Sequence, residues 1–164
     1  MKVLLGIAIV LFTTYCGRFF AKKYRLRKRF FSEFMQFNER FLNEVSYYKR
    51  PIMEFAGKYP CRAEFQTLLK DFFDALRQKT TGSTVFLSAL DEYDFLKTDE
   101  KAFIVDYFSM FGKGDSLSQK EYFCSVKGQL SEWKEASAKD CQRYGDLYIK
   151  LGFLLGLTLL ILIV

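Results

Sequence analysis

Residues 151–164 read LGFLLGLTLLILIV, a run whose one polar side chain is Thr158. In water such a helix would need burial on every side. The rest of the chain, 164 residues in all, is too small to wrap it. Lipid is the solvent that suits it, with Tyr148 and Lys150 at the headgroup level. The other end carries a matching run, Val3 to Gly17, VLLGIAIVLFTTYCG, also without charge. At about 1.5 Å per residue it covers about 22 Å of a hydrocarbon core about 30 Å thick. Phe19, Phe20 and Ala21 lengthen it, and Lys2, Arg18 and Lys22 can snorkel to the interfaces. Lys2 and the apolar core also suit a signal peptide, but Tyr15 before Cys16 fits neither a small-residue cleavage site nor a lipoprotein-type one.

The formal net charge of +6 comes from one place. Arg18, Lys22, Lys23, Arg25, Arg27, Lys28 and Arg29 follow the first apolar run with no acidic residue among them. Setting these aside with Lys2 and Lys150 leaves 16 basic residues against 19 acidic ones, so the middle of the chain is mildly acidic. A phosphate-binding groove is not expected, and nucleic acid is not an expected partner. Lysine and arginine beside a membrane helix stay on the cytoplasmic side, and they also suit anionic headgroups. The expected division is a transmembrane helix over 1–21, a cytoplasmic helical domain over 22–149 and a second transmembrane helix over 150–164.

Small residues recur at helical spacing in both apolar runs. Thr13, Gly17 and Ala21 lie four apart, and Gly152 and Gly156 form a G-x-x-x-G pair. Small faces let helices approach closely in lipid, so these five are the candidate membrane-packing residues.

Between the ends the pattern is helical throughout. Phe30, Phe34, Phe37, Phe41, Val45 and Tyr48 recur at steps of three and four, one face of a helix continuing from the membrane. Pro51 breaks it and opens a short helix through Phe55, which Pro60 ends. Phe65, Leu68, Leu69, Phe72, Phe73 and Leu76 mark the next helix. After the turn at Thr80 to Ser83, Ser83 caps a helix to about Leu96. Thr98, with Asp99 and Glu100, begins another that ends near Phe111. Gly112 and Gly114 break the chain, and Asp115 or Ser116 caps a last helix expected to run unbroken for about 70 Å into the membrane. Its apolar face is Phe123, Val126, Leu130, Trp133, Ala136 or Ser137, Cys141, Tyr144 and Tyr148. The expected fold is an all-α, membrane-anchored helical bundle. Two long antiparallel helices continue into the N- and C-terminal transmembrane segments, and shorter helices pack at the distal end.

Catalytic chemistry has little to work with. Histidine is absent, removing the commonest general base and metal ligand near neutral pH. Cys16, Cys61, Cys124 and Cys141 form no C-x-x-C pair, so no zinc site or disulfide framework is signalled. Gly112 to Ser116 lacks both the spacing and the strand of a phosphate loop. Asp91, Glu92, Asp94, Asp99 and Glu100 read as a solvated acidic surface, with docking to a basic partner as the alternative. No cofactor, metal or small-molecule substrate is expected, and the chain reads as a non-enzyme.

The chain resembles the stage III sporulation protein AB family. The closing LGFLLGLTLLILIV is similar to that family's Leu-Gly-Phe-Leu and aliphatic tail. Phe111, Gly112, Asp115 and Gln119 are similar to its L-G-x-x-D-x-x-x-Q, with Phe111 in place of leucine. The short first segment with its basic flank, and Pro51, also fit. The resemblance implies a non-catalytic platform or scaffold subunit of a secretion-like channel between mother cell and forespore, in the outer forespore membrane. It implies similarity to the platform protein of type II secretion and type IV pilus systems. The implied partners are a cytoplasmic secretion-type ATPase encoded in the same operon and other membrane subunits of the channel. Gly112, Asp115 and Gln119 are the candidate partner contacts, their plainer role being a helix break and cap. The competing reading is a membrane-tethered coiled-coil scaffold of the division or envelope machinery without a motor.

Overall fold

The computed structural model describes residues 2–47, 61, 63–77, 89–111 and 116–163. These form helices joined by turns, with no strand among the described residues. Helix α1 runs Lys2–Tyr47, α2 Ala63–Arg77, α3 Thr98–Ser109 and α4 Ser116–Asp140; a wide turn, Cys141–Gly145, then leads directly into α5, Asp146–Ile163. The expected short helix after Pro51, the Thr80 to Ser83 turn and the break from Gly112 to Asp115 lie outside the described residues. By its contacts the chain divides into two compact units, Met1–Lys28 with Glu135–Val164, and Arg29–Lys134.

The second unit, Arg29–Lys134, is built on phenylalanine. Phe30, Phe34, Phe37 and Phe41 of α1 are all buried, as their spacing predicts, and Phe31 beside them is buried too. Phe65, Leu68, Leu69, Phe72 and Phe73 come in from α2, Ile104, Tyr107 and Phe108 from α3, and Phe123, Val126 and Leu130 from α4. Many of the rings meet edge to face and others stack, both arrangements their quadrupoles favour. Phe34 stands on Tyr107 at 4.7 Å and 88°, and Phe41 on Phe123 at 4.8 Å and 83°.

One polar group sits inside this core. Asn38 is fully buried, donates from Nδ2 to the Phe123 carbonyl at 3.2 Å and accepts at Oδ1 from the Tyr107 hydroxyl at 2.9 Å. Three helices are thereby pinned in one register. Burial raises the Tyr107 pKa well above its ordinary value and keeps the hydroxyl a neutral donor. Asn38→Ala leaves that buried hydroxyl without this acceptor and is expected to cost about 1–3 kcal/mol. Tyr107→Phe keeps the bond to the Phe123 carbonyl and should cost only about 1 kcal/mol. Thermal melts of the detergent-solubilised full chain check the order.

Two local expectations are corrected. The helix expected to reach Leu96 ends at Asp91. Tight turns follow, with Tyr93 N–H donating to the Leu90 carbonyl at 3.1 Å and Leu96 N–H to that of Tyr93 at 3.2 Å. The acidic residues there favour turning over helix, and turning seats Phe95 5.8 Å from Phe30. In the acidic group, Glu100 is not surface: it is 1% exposed and accepts the Lys97 backbone N–H at 2.9 Å, closing the start of α3.

In the first unit, Met1–Lys28 with Glu135–Val164, the last helix departs from the unbroken α-helix expected. Cys141–Gly145 takes the wider i→i+5 winding of a π turn. Nineteen residues separate Ser137 from Gly156, both buried, whereas five α-helical turns take 18. The wide turn absorbs the extra residue and keeps both on one face. Among the described residues one helix, Leu117–Leu162, is long and apolar enough to cross a membrane, and only 11% of its apolar window is buried.

Candidate helix-packing site and docking loop

The first apolar run and α5 pass in opposite chain directions. Gly6 lies against Leu160, Val10 and Thr13 against Gly156, Thr13 and Gly17 against Gly152, and Gly17 against Tyr148. A Cβ on Gly17 would lie 2.5 Å from the Tyr148 carbonyl oxygen, and one on Gly152 2.6 Å from that of Thr13. On Gly156 it would collide with the Thr13 hydroxyl and come 2.8 Å from the Val10 Cα. No side chain fits at these positions unless a backbone moves. Of the five small residues singled out in the sequence, Thr13, Gly17, Gly152 and Gly156 therefore meet directly, and Ala21 is fully buried. Gly6 joins them on the same face, preceding Val10, Thr13 and Gly17 at steps of four, three and four, a spacing that could have identified it from sequence.

The hydroxyls here are satisfied within their own helices. Thr13 donates to the carbonyls of Ile9 and Val10, Thr14 to that of Val10 at 2.7 Å, and Thr158 to that of Leu154 at 2.8 Å. None of these bonds needs water, which suits an apolar solvent. A groove of about 350 Å³ flanks the contact, walled by Cys16, Phe20, Leu151 and Leu155.

Toward Lys28 the small face gives way to rings and then to charge. Phe20, Tyr148, Tyr24 and Tyr144 form a column with centroid steps of 6.0, 5.9 and 5.5 Å. Beyond it Arg27 meets Asp140 at 2.7 Å. Arg27 thus departs from the seven-residue basic group: its side chain is 7% exposed and turned to the partner helix. The reason is periodicity, since position 27 falls on the stripe of Gly17, Ala21 and Tyr24. Arg18, Lys22, Lys23, Arg25, Lys28 and Arg29 are exposed. Within the second unit, Arg29 makes a 2.8 Å ion pair with Glu64.

Of the three candidate partner contacts, Gln119 lies in the first turns of α4 and is half-buried. Gly112 and Asp115 lie outside the described residues. Among the described residues no group of three or more His, Cys, Asp or Glu side chains is placed to hold a metal. Burial, with Glu33 nearby, pushes the Cys61 thiol up to about 11, so it stays neutral. Burial and the Asp71, Glu64 and Glu92 carboxylates push Tyr93 up to about 12, and its hydroxyl donates to the Glu64 carbonyl at 3.1 Å.

These features define an all-helical protein with a helix apolar enough to cross a membrane and a glycine-mediated helix contact within that apolar region. The chain belongs to the stage III sporulation protein AB family, whose model matches residues 2–164. It is thus a sporulation protein, in a family not defined by any enzymatic activity. No curated protein and no solved structure matches it.

Proposed function

We propose that this protein is a non-catalytic platform subunit of a secretion-like sporulation channel between mother cell and forespore, held in the outer forespore membrane by both ends. Residues 1–21 and 150–164 span the bilayer, and 22–149 form the cytoplasmic domain. The observation that carries the membrane reading is a helix pair that closes on itself through glycine while its outside stays apolar. Phe12, Tyr15, Ile161 and Leu162 are 68–85% exposed, an exterior suited to lipid or to further apolar helices. The groove beside Cys16 and Leu155 gives other channel subunits a place to pack. The exposed basic residues hold the middle domain in the cytoplasm.

The partner in the cytoplasm is the secretion-type ATPase of the same operon, docked at Gly112, Asp115 and Gln119. Support comes from family membership and from the match of these residues to the family's glycine loop. Co-purification of the ATPase with the full chain, in wild-type and Asp115→Lys forms, tests this. The wild type should retain the ATPase and the variant should lose it while still sedimenting with membranes. Equal retention by both, or none by the wild type, refutes docking at this loop.

A further inference from the structure

The last helix carries one residue more than α-helical packing requires, and it holds that residue in the Cys141–Gly145 turn. The turn begins beside a fixed point, Asp140, which is clamped by Arg27 at 2.7 Å. Its end is soft. Gly145 is buried, yet a Cβ there would meet only the Cys141 sulfur at 3.8 Å, an ordinary contact. Close approach explains Gly17, Gly152 and Gly156 but not Gly145. A glycine inside a helix loosens it without compensation from packing here. Beside the turn a cavity of about 460 Å³ opens between Lys28, Cys141 and Gln142, leaving room for these side chains to swing.

Moving the surplus residue has a definite consequence. If it passes toward the C-terminus, the residues it leaves behind rotate by about 100° about the helix axis. Continuing α-helical phase from Ser137 then brings Leu151 and Leu155 to the places of Gly152 and Gly156. Both leucines already line the groove at the edge of the contact. Their side chains are too large for a face that admits no Cβ, so the helices must separate.

We propose that Cys141–Gly145 is a rotary joint that switches the helix pair between a tight glycine contact and a wider leucine contact. The inference rests on the geometry of this turn and is independent of ATPase docking. Val10 provides the test, because its Cβ faces the Cβ position of Gly156 at 3.4 Å, and a small widening of the contact brings a residue in that position into the roughly 3.5–4.5 Å that a disulfide spans. In a full chain with its four cysteines replaced by serine, Val10→Cys with Leu155→Cys should crosslink on oxidation in membranes. A control pair, Val10→Cys with Phe153→Cys, should not. Gly145→Ala favours the regular α-helical winding that the joint takes once the surplus residue has left, and should raise the Val10–Leu155 crosslink about fivefold. Deleting exposed Gln142 removes the surplus residue and leaves a regular helix with the same glycine face inward. That deletion should abolish the crosslink while membrane sedimentation persists. Crosslinking of Val10–Leu155 no faster than the control, or a yield unchanged by both joint variants, overturns the proposal.

Discussion

Gly152→Val is expected to pry the helices of the first unit apart. The new Cβ would stand 2.6 Å from the Thr13 carbonyl oxygen and close to the Gly17 backbone, neither of which can rotate away as a side chain could. Overpacking of this kind costs about 1–3 kcal/mol, enough to shift the packed pair about fivefold or more toward separation. Disulfide formation between cysteines at Tyr24 and Tyr144, whose rings stack at 5.5 Å, reads that separation. Gly128→Ala supplies the contrast, because nothing lies within 4 Å of a Cβ there. That change should stabilise the second unit by about 0.5–1 kcal/mol through helix propensity alone. Equal crosslinking in wild type and Gly152→Val would show that the glycine contact is not needed.

Phe34→Ala should be the most damaging truncation in the second unit. The side chain is fully buried, with Tyr107 at 4.7 Å and Phe65 at 5.2 Å on separate helices. Removing such a ring costs about 3–5 kcal/mol, a large share of the roughly 5–15 kcal/mol by which a domain is stable. Phe34→Leu keeps most of the volume and should cost about 1.5 kcal/mol or less. Trp133, the one tryptophan in the chain, packs on Phe103 at 4.7 Å and serves as the fluorescent reporter of unfolding. A melt of Phe34→Ala that coincides with wild type would remove the ring cluster from any central role.

Much of this is legible in the sequence. The steps of three and four from Phe30 to Phe41 predicted the buried face of α1, because apolar burial leaves its period in the residue order. The small residues at 13, 17, 152 and 156 predicted a close contact, since a missing Cβ is itself a sequence feature. Three residues depart from what their type alone implies. Asn38 is polar yet buried, because Tyr107 and the Phe123 carbonyl complete its hydrogen bonds. Arg27 belongs by sequence to the basic group, but its place on the Gly17, Ala21 and Tyr24 stripe sets it apart. Glu100 read as surface acid but caps a backbone.

Order along the chain determined by itself the helical class, the two apolar ends, the basic collar and the aromatic faces, each a local or periodic property. Tertiary structure alone decided which polar groups could be buried, because burial depends on a partner supplied by a distant helix. It also decided the winding at Cys141–Gly145. Helical period permits either a drifting face or one wide turn, and only the packing of Ser137 and Gly156 onto one face selects the second.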